Sequence, residues 1–173
     1  MRENIFEINF LKSILLFSII FVLVISIGIR AESNYLYRGD LDTLAREFYS
    51  SGNAEKIIEE LDSRENNIQD KTGLDYYVEM AELEFFRAEI AERRGQDFAD
   101  DHLENALEYS KEAIEIEDNA LTNRLIAEAY IQLFNYRSAF FAIRNGNRAL
   151  DYLNRALELA PDDLLARFLE GNY

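Results

Sequence analysis

His102 is the only histidine in the chain, and there is no cysteine. A lone imidazole without a thiol builds neither an ordinary zinc centre nor a cysteine–histidine pair. It sits near the start of an acid-rich helical stretch and reads as an exposed helix-start residue. A serine nucleophile would need it as a base. Ser50, Ser51, Ser63, Ser110 and Ser138 are candidates, but none lies in the G-x-S-x-G turn that presents such a nucleophile. Glycosidase-type chemistry needs two acids facing each other across a cleft. Residues 32–173 carry 31 acids, which is too many for sequence to single out a pair. A calcium loop needs oxygen ligands at alternating positions around a glycine. Asp97 to Asp101 offers too few ligands and no internal glycine. No glycine-rich phosphate loop is present. The expectation is a protein that is not an enzyme, with no catalytic residue, metal or cofactor.

A second constellation carries binding chemistry. No acid lies between Glu128 and Asp151, while Arg137, Arg144 and Arg148 stand there beside Phe134, Tyr136, Phe140 and Phe141. Arginine forks pair with carboxylates or phosphates, and aromatic rings supply apolar anchors. Arg137, Phe140, Phe141, Arg144 and Arg148 are therefore candidate partner-binding residues. The competing reading is structural: the phenylalanines extend the preceding helix into the core, and the arginines pair with acids of neighbouring helices.

This stretch stands out against the charge of the whole chain. The formal net charge is −15, with 49% hydrophobic and 29% charged residues. That composition affords a packed core and argues against a nucleic-acid binder working through a basic face. The charge is uneven. Residues 32–118 hold 9 Lys+Arg and 25 Asp+Glu, a net −16, whereas residues 119–173 hold 6 arginines and 6 acids. The acidic run reads as a solvated face.

The elements that must position these groups are helices. One proline and seven glycines fit long helices better than a β-sandwich or barrel. Residues 13–29 form an uncharged apolar run after a short polar start that includes Arg2 and Lys12. It is long for a signal-peptide core and just long enough to span a bilayer. Residues 1–31 are either a signal peptide cleaved after Ala31 or a retained N-terminal membrane anchor. Either reading places the remainder outside the cytoplasm, periplasmic or secreted, with residues 32–39 as a linker.

From Asp40 onward apolar residues recur at spacings of three and four. Short helices are expected from Asp40 to Ser50 and from Ala54 to about Arg64, with Asn66 to Gly73 as a loop. A longer helix starts at Leu74 and stops at Arg93-Arg94-Gly95, with cations in its last turn and glycine just past it. The next opens at Asp97 to Asp101 and breaks at Asp118-Asn119. Leu121 to about Phe134 follows. Asn145-Gly146-Asn147 reads as a turn, with residues 148–160 helical and Pro161 as their stop. A last helix, residues 162–172, carries Leu164, Leu165, Phe168 and Leu169. It is either a cap on the array or a surface for self-association.

The segment ALDYLNRALELAPDD places Ala149, Leu153, Ala156 and Pro161 at offsets 0, 4, 7 and 12. It resembles the second helix of a tetratricopeptide (TPR) repeat. Ala106, Ser110, Ala113 and Asp118 fall at the same offsets 43 residues earlier, with aspartate in place of the proline. Ile126, Ala127 and Tyr130 are similar to the apolar, small and aromatic triplet of the family's first helix. Tyr77, Met80 and Ala81 match its start, with Glu84 where the aromatic belongs. The family period is about 34 residues, so repeats here would carry insertions.

The resemblance implies an all-α, TPR-like array of helix hairpins, a right-handed α-solenoid, which the apolar run of residues 13–29 would precede as an N-terminal hydrophobic helix. The hairpins would fall at about 40–66, 74–117 and 121–160, within a domain spanning 40–173. It also implies a protein-interaction scaffold with a protein or peptide partner held in a groove. Tyr77, Glu84, Arg87, Asn123, Arg124 and Tyr130 are the groove candidates. The alternative is a periplasmic small-ligand or transport-helper component with a pocket between hairpins. No nucleic-acid partner is expected, and membrane contact only through residues 13–29 if uncleaved.

Overall fold

A computed structural model describes residues 38 and 40–172. The signal-peptide or anchor reading of residues 1–31, and all of the expected linker except Arg38, lie outside them. The described residues are all-α: seven helices and no strand among them. They are α1 (Asp40–Ser51), α2 (Ala54–Ile68), α3 (Leu74–Arg93), α4 (Ala99–Ile116), α5 (Ala120–Leu133), α6 (Ala139–Leu159) and α7 (Leu164–Asn172). Each packs on the next in sequence, and α3 also touches α5. None is long and apolar enough to cross a membrane.

Local chemistry sets the ends. The Gly95 N–H donates to Glu92 O and the Gln96 N–H to Ala91 O, both at 2.9 Å. These two bonds are a Schellman stop. Gly95 takes φ +65°, a left-handed conformation costly for any residue with a Cβ, although nothing lies within 4 Å of where that Cβ would sit. Gly95→Ala is therefore expected to cost about 1 kcal/mol through backbone strain alone, read as a lower midpoint in urea denaturation. At the start of α5, the Thr122 N–H donates to Asn119 Oδ1 (3.0 Å) and the Asn119 N–H to Thr122 Oγ1 (3.1 Å), a reciprocal cap.

The core follows the small-residue offsets. Ala106, Ser110 and Ala113 on α4, and Ala149, Leu153 and Ala156 on α6, are completely buried. Small side chains at these positions let helices approach closely. On α7, Ala166 and Leu169 pack with Ala127, Leu153 and Ala156. Leu165 is buried as well, while Leu164 stays exposed.

Two boundaries differ from the sequence reading by more than two residues. α2 continues past Arg64 to Ile68, because Ile68 is an anchor only 2% exposed. Asn145-Gly146-Asn147 is not a turn but lies in the middle of α6. Asn145 is buried, and its Nδ2 donates to Phe141 O at 3.0 Å, one turn back in the same helix. Asn145, Ala149, Leu153 and Ala156 form one buried stripe at helical spacing. Burial of that stripe outweighs the intrinsic turn preference of Asn-Gly.

Candidate functional site: a charged cleft along α4 and α6

Two adjoining clefts lie along α4 and α6, with Tyr130 of α5 in both. The first, about 470 Å³, is lined by Leu107 and Lys111 of α4, Tyr130, and Arg137, Ser138, Phe140, Phe141, Arg144, Asn145 and Arg148. The second, about 620 Å³, is lined by Lys111, Glu112, Ile114 and Glu115, Tyr130, and Arg148, Asp151 and Tyr152. They share Lys111, Tyr130 and Arg148, and the lining residues advance along both helices in the same direction. All five candidate partner-binding residues, Arg137, Phe140, Phe141, Arg144 and Arg148, line the first cleft.

The structural alternative holds for some of these residues and fails for others. Arg137 is paired, its Nη2 lying 3.3 Å from Asp100 and also bonded to Glu104. Phe141 is half-buried, with its ring edge-on to Phe134 at 6.1 Å. Neither phenylalanine extends α5, because both lie in the first turn of α6. Phe140 is 72% exposed and contributes little to the core. Arg144 and Arg148 are exposed, and no carboxylate oxygen lies within 4.0 Å of them among the described residues.

That absence of pairing is selective. Arg38, Arg46, Lys56, Arg64, Lys71, Arg87, Arg93, Arg94, Arg124, Arg137 and Arg155 each reach a carboxylate. Among the described residues only Lys111, Arg144, Arg148 and Arg167 do not. Three of those four line this cleft, and Arg167 is bonded to Pro161 O. Sequence reasoning missed Lys111 because it sits inside the acidic half. The available signal was that it is the only cation between Asp97 and Asp118. Its Nζ lies 5.9 Å from the Tyr130 ring centroid, within cation–π range.

The groove candidates are placed differently. Tyr130 lines both clefts. Tyr77 is half-buried and packs edge-on against Tyr76 at 5.2 Å. Asn123 is buried, donating from Nδ2 to Asp118 Oδ1 (2.6 Å) and Asn119 O (2.8 Å). Arg124 reaches Asp163 at 3.5 Å.

Glu84 and Arg87 belong to a separate network. Arg87 Nη1 donates to Glu84 Oε1 (2.8 Å), and Nη2 to Asp62 Oδ1 (2.8 Å) and Glu65 Oε2 (2.6 Å). Glu84 Oε2 accepts from His102 Nδ1 (2.8 Å) and Asn105 Nδ2 (3.2 Å). Burial would push the Glu84 carboxyl up, but the bonds from His102, Arg87 and Asn105 more than offset it and hold the group below the ordinary glutamate range. His102 is thus not the exposed helix-start residue expected. It is half-buried and ties α4 to α3.

Among the described residues no group of three or more His, Cys, Asp or Glu is arranged to hold a metal ion. Ser110 Oγ donates to Ala106 O of its own helix at 2.6 Å. Burial raises the Glu82 and Glu128 carboxyls, but both are buried and line neither cleft.

No known protein family matches this chain, and neither does any curated protein or solved structure.

Proposed function

We propose that the chain is an exported, TPR-like interaction scaffold that binds a protein or peptide segment along the α4–α6 cleft and performs no chemistry there. One observation carries this reading. In a chain of net charge −15, three of the four described cations left without a carboxylate converge on one cleft, beside an exposed phenylalanine. Water solvates exposed cations, so pairing is not obligatory, yet the eleven other described Lys and Arg apart from Arg167 each reach a carboxylate of their own chain. Lys111, Arg144 and Arg148 are left available for a partner from outside. A charged, open cleft supports a protein segment over the alternative, a small ligand enclosed in an apolar pocket. Export by residues 1–31, as a cleaved signal peptide or a retained anchor, belongs to the same proposal. So does self-association through α7, supported by the exposed Leu164.

The test is charge reversal. Arg144→Glu with Arg148→Glu removes attraction from two exposed positions, so circular dichroism and melting should change little. The full chain, purified with its cross-linked partners from its own cells, is expected to lose one reproducible partner in the double variant. Retention of the same partners by a folded double variant overturns the assignment of the cleft.

A further inference from the structure

The two clefts differ in charge, and the difference is ordered along their length. The first is lined by Arg137, Arg144, Arg148 and Lys111 and by no carboxylate. The second keeps Arg148 and Lys111 but adds Glu112, Glu115 and Asp151. These three acids are exposed, and none has a cation within 4.0 Å among the described residues. Arg148 and Asp151 stand three residues apart on one helix face, the spacing of a local ion pair, yet they do not pair. Neither set of charges is spent on the other.

We infer that the cleft accepts an extended peptide segment that is itself dipolar: carboxylates beside an apolar side chain at one end, basic side chains at the other. The inference rests on the scaffold reading and names the partner's chemistry. Arg144, Arg148 and Lys111 take the carboxylates. Phe140, Phe141 and Tyr130 offer the apolar contact at the same end. Glu112, Glu115 and Asp151 take the basic end. α6 carries no acid in its first turn, so its positive dipole end adds to the cationic end of the cleft.

Length sets a further limit. From Phe141 to Tyr152, α6 advances about 16 Å at the helical rise. An extended chain covers that in about five residues, so both ends of a short segment reach their partners together. Charge order also separates a peptide from the other polyanions an arginine cluster attracts. A nucleic-acid strand or an anionic bilayer carries negative charge throughout. Either would place some of it against Glu112, Glu115 and Asp151, where like charges repel.

The experiment uses the full chain in a non-ionic detergent and fluorescence anisotropy. One labelled peptide has two glutamates and a phenylalanine at one end and two lysines at the other, made in both chain directions. A second replaces the lysines by glutamate. The third probe is an oligothymidylate. The dipolar peptide, in one direction, is expected to bind about tenfold more tightly than either of the others, the scale of one charge-assisted contact. Arg144→Glu with Arg148→Glu should weaken it by a further factor of about ten. Glu112→Lys with Glu115→Lys should invert the preference, so that the all-acid peptide binds more tightly.

Equal or tighter binding of the all-acid peptide or the oligothymidylate to the unaltered chain overturns the inference, as does the absence of saturable binding by the dipolar peptide. The two readings fail separately. If Arg144→Glu with Arg148→Glu loses a cellular partner but no preference for the dipolar peptide exists, this inference falls and the scaffold stands. If the folded double variant keeps its partner, the scaffold's use of the cleft falls. Should the double variant not fold, Arg144→Gln and Glu115→Gln singly test the same order of charge.

Discussion

Arg87→Ala is expected to destabilise the chain by about 3–5 kcal/mol, the usual result of removing one partner from a buried ion pair. The Arg87 side chain is 14% exposed and the Glu84 side chain 6%. Arg87 also reaches Asp62 and Glu65 of α2, while Glu84 accepts from His102 and Asn105 of α4. The Arg87–Glu84 pair therefore links three consecutive helices, α2 through the guanidinium and α4 through the carboxylate. Removal of the guanidinium leaves the Glu84 carboxylate buried with only an imidazole and an amide. The bonds to Asp62 and Glu65 reach more exposed acids and contribute less.

For a domain of this size the loss corresponds to a fall in melting temperature of roughly 10 °C or more, measured by circular dichroism. The double variant Arg87→Met with Glu84→Met supplies the control. It removes both charges and refills their volume, so it should be clearly more stable than Arg87→Ala. If Arg87→Ala melts within roughly 2 °C of the unaltered chain, the network does not hold these helices together.

What the sequence disclosed follows from the range of each interaction. The all-α character and the stop at Gly95 depend on neighbours within one or two turns, so residue types at short spacing reveal them. The buried stripe through Ala149, Leu153 and Ala156 was visible for the same reason. Asn145-Gly146-Asn147 was misread because its local preference for a turn is overridden by packing around Asn145 and Gly146, both buried. The Arg–aromatic segment was legible as a cluster in sequence. Its division into a paired Arg137 and unpaired Arg144 and Arg148 was not, since Asp100 and Glu104 lie more than thirty residues away. Lys111 as a member of the cleft and His102 as the partner of Glu84, 18 residues away, were hidden in the same way, because each contact lies between different helices. Long-range pairing decides which charges remain free, and composition alone does not report it.

Glu128 carries the largest expected pH effect. It lies on α5, is 3% exposed, and accepts one amide hydrogen bond, from Gln132 Nε2 at 3.2 Å. Burial pushes its carboxyl from 4.5 up to about 7, against the pull of Arg124 and with repulsion from Glu82 and Glu89 adding to the rise. The folded chain therefore keeps a proton that the unfolded chain releases above about pH 4.5. Stability from this group is fully present below that pH and is lost as pH rises through about 7, a change of about 3 kcal/mol.

Glu128→Gln removes the ionisation and keeps an oxygen to accept from Gln132. The variant is expected to match the unaltered chain near pH 4.5, to exceed it by about 3 kcal/mol at pH 8, and to flatten the decline between. Urea denaturation at pH 5, 6, 7 and 8 measures this directly. Glu82 is raised by burial too, with Arg38 pulling the other way, so some decline will persist in the single variant and should shrink further when Glu82→Gln is added. Glu84 has the opposite sign, gaining stability as its carboxylate forms, and acts at lower pH. If Glu128→Gln declines from pH 5 to 8 as steeply as the unaltered chain, Glu128 is not the buried acid that sets the slope.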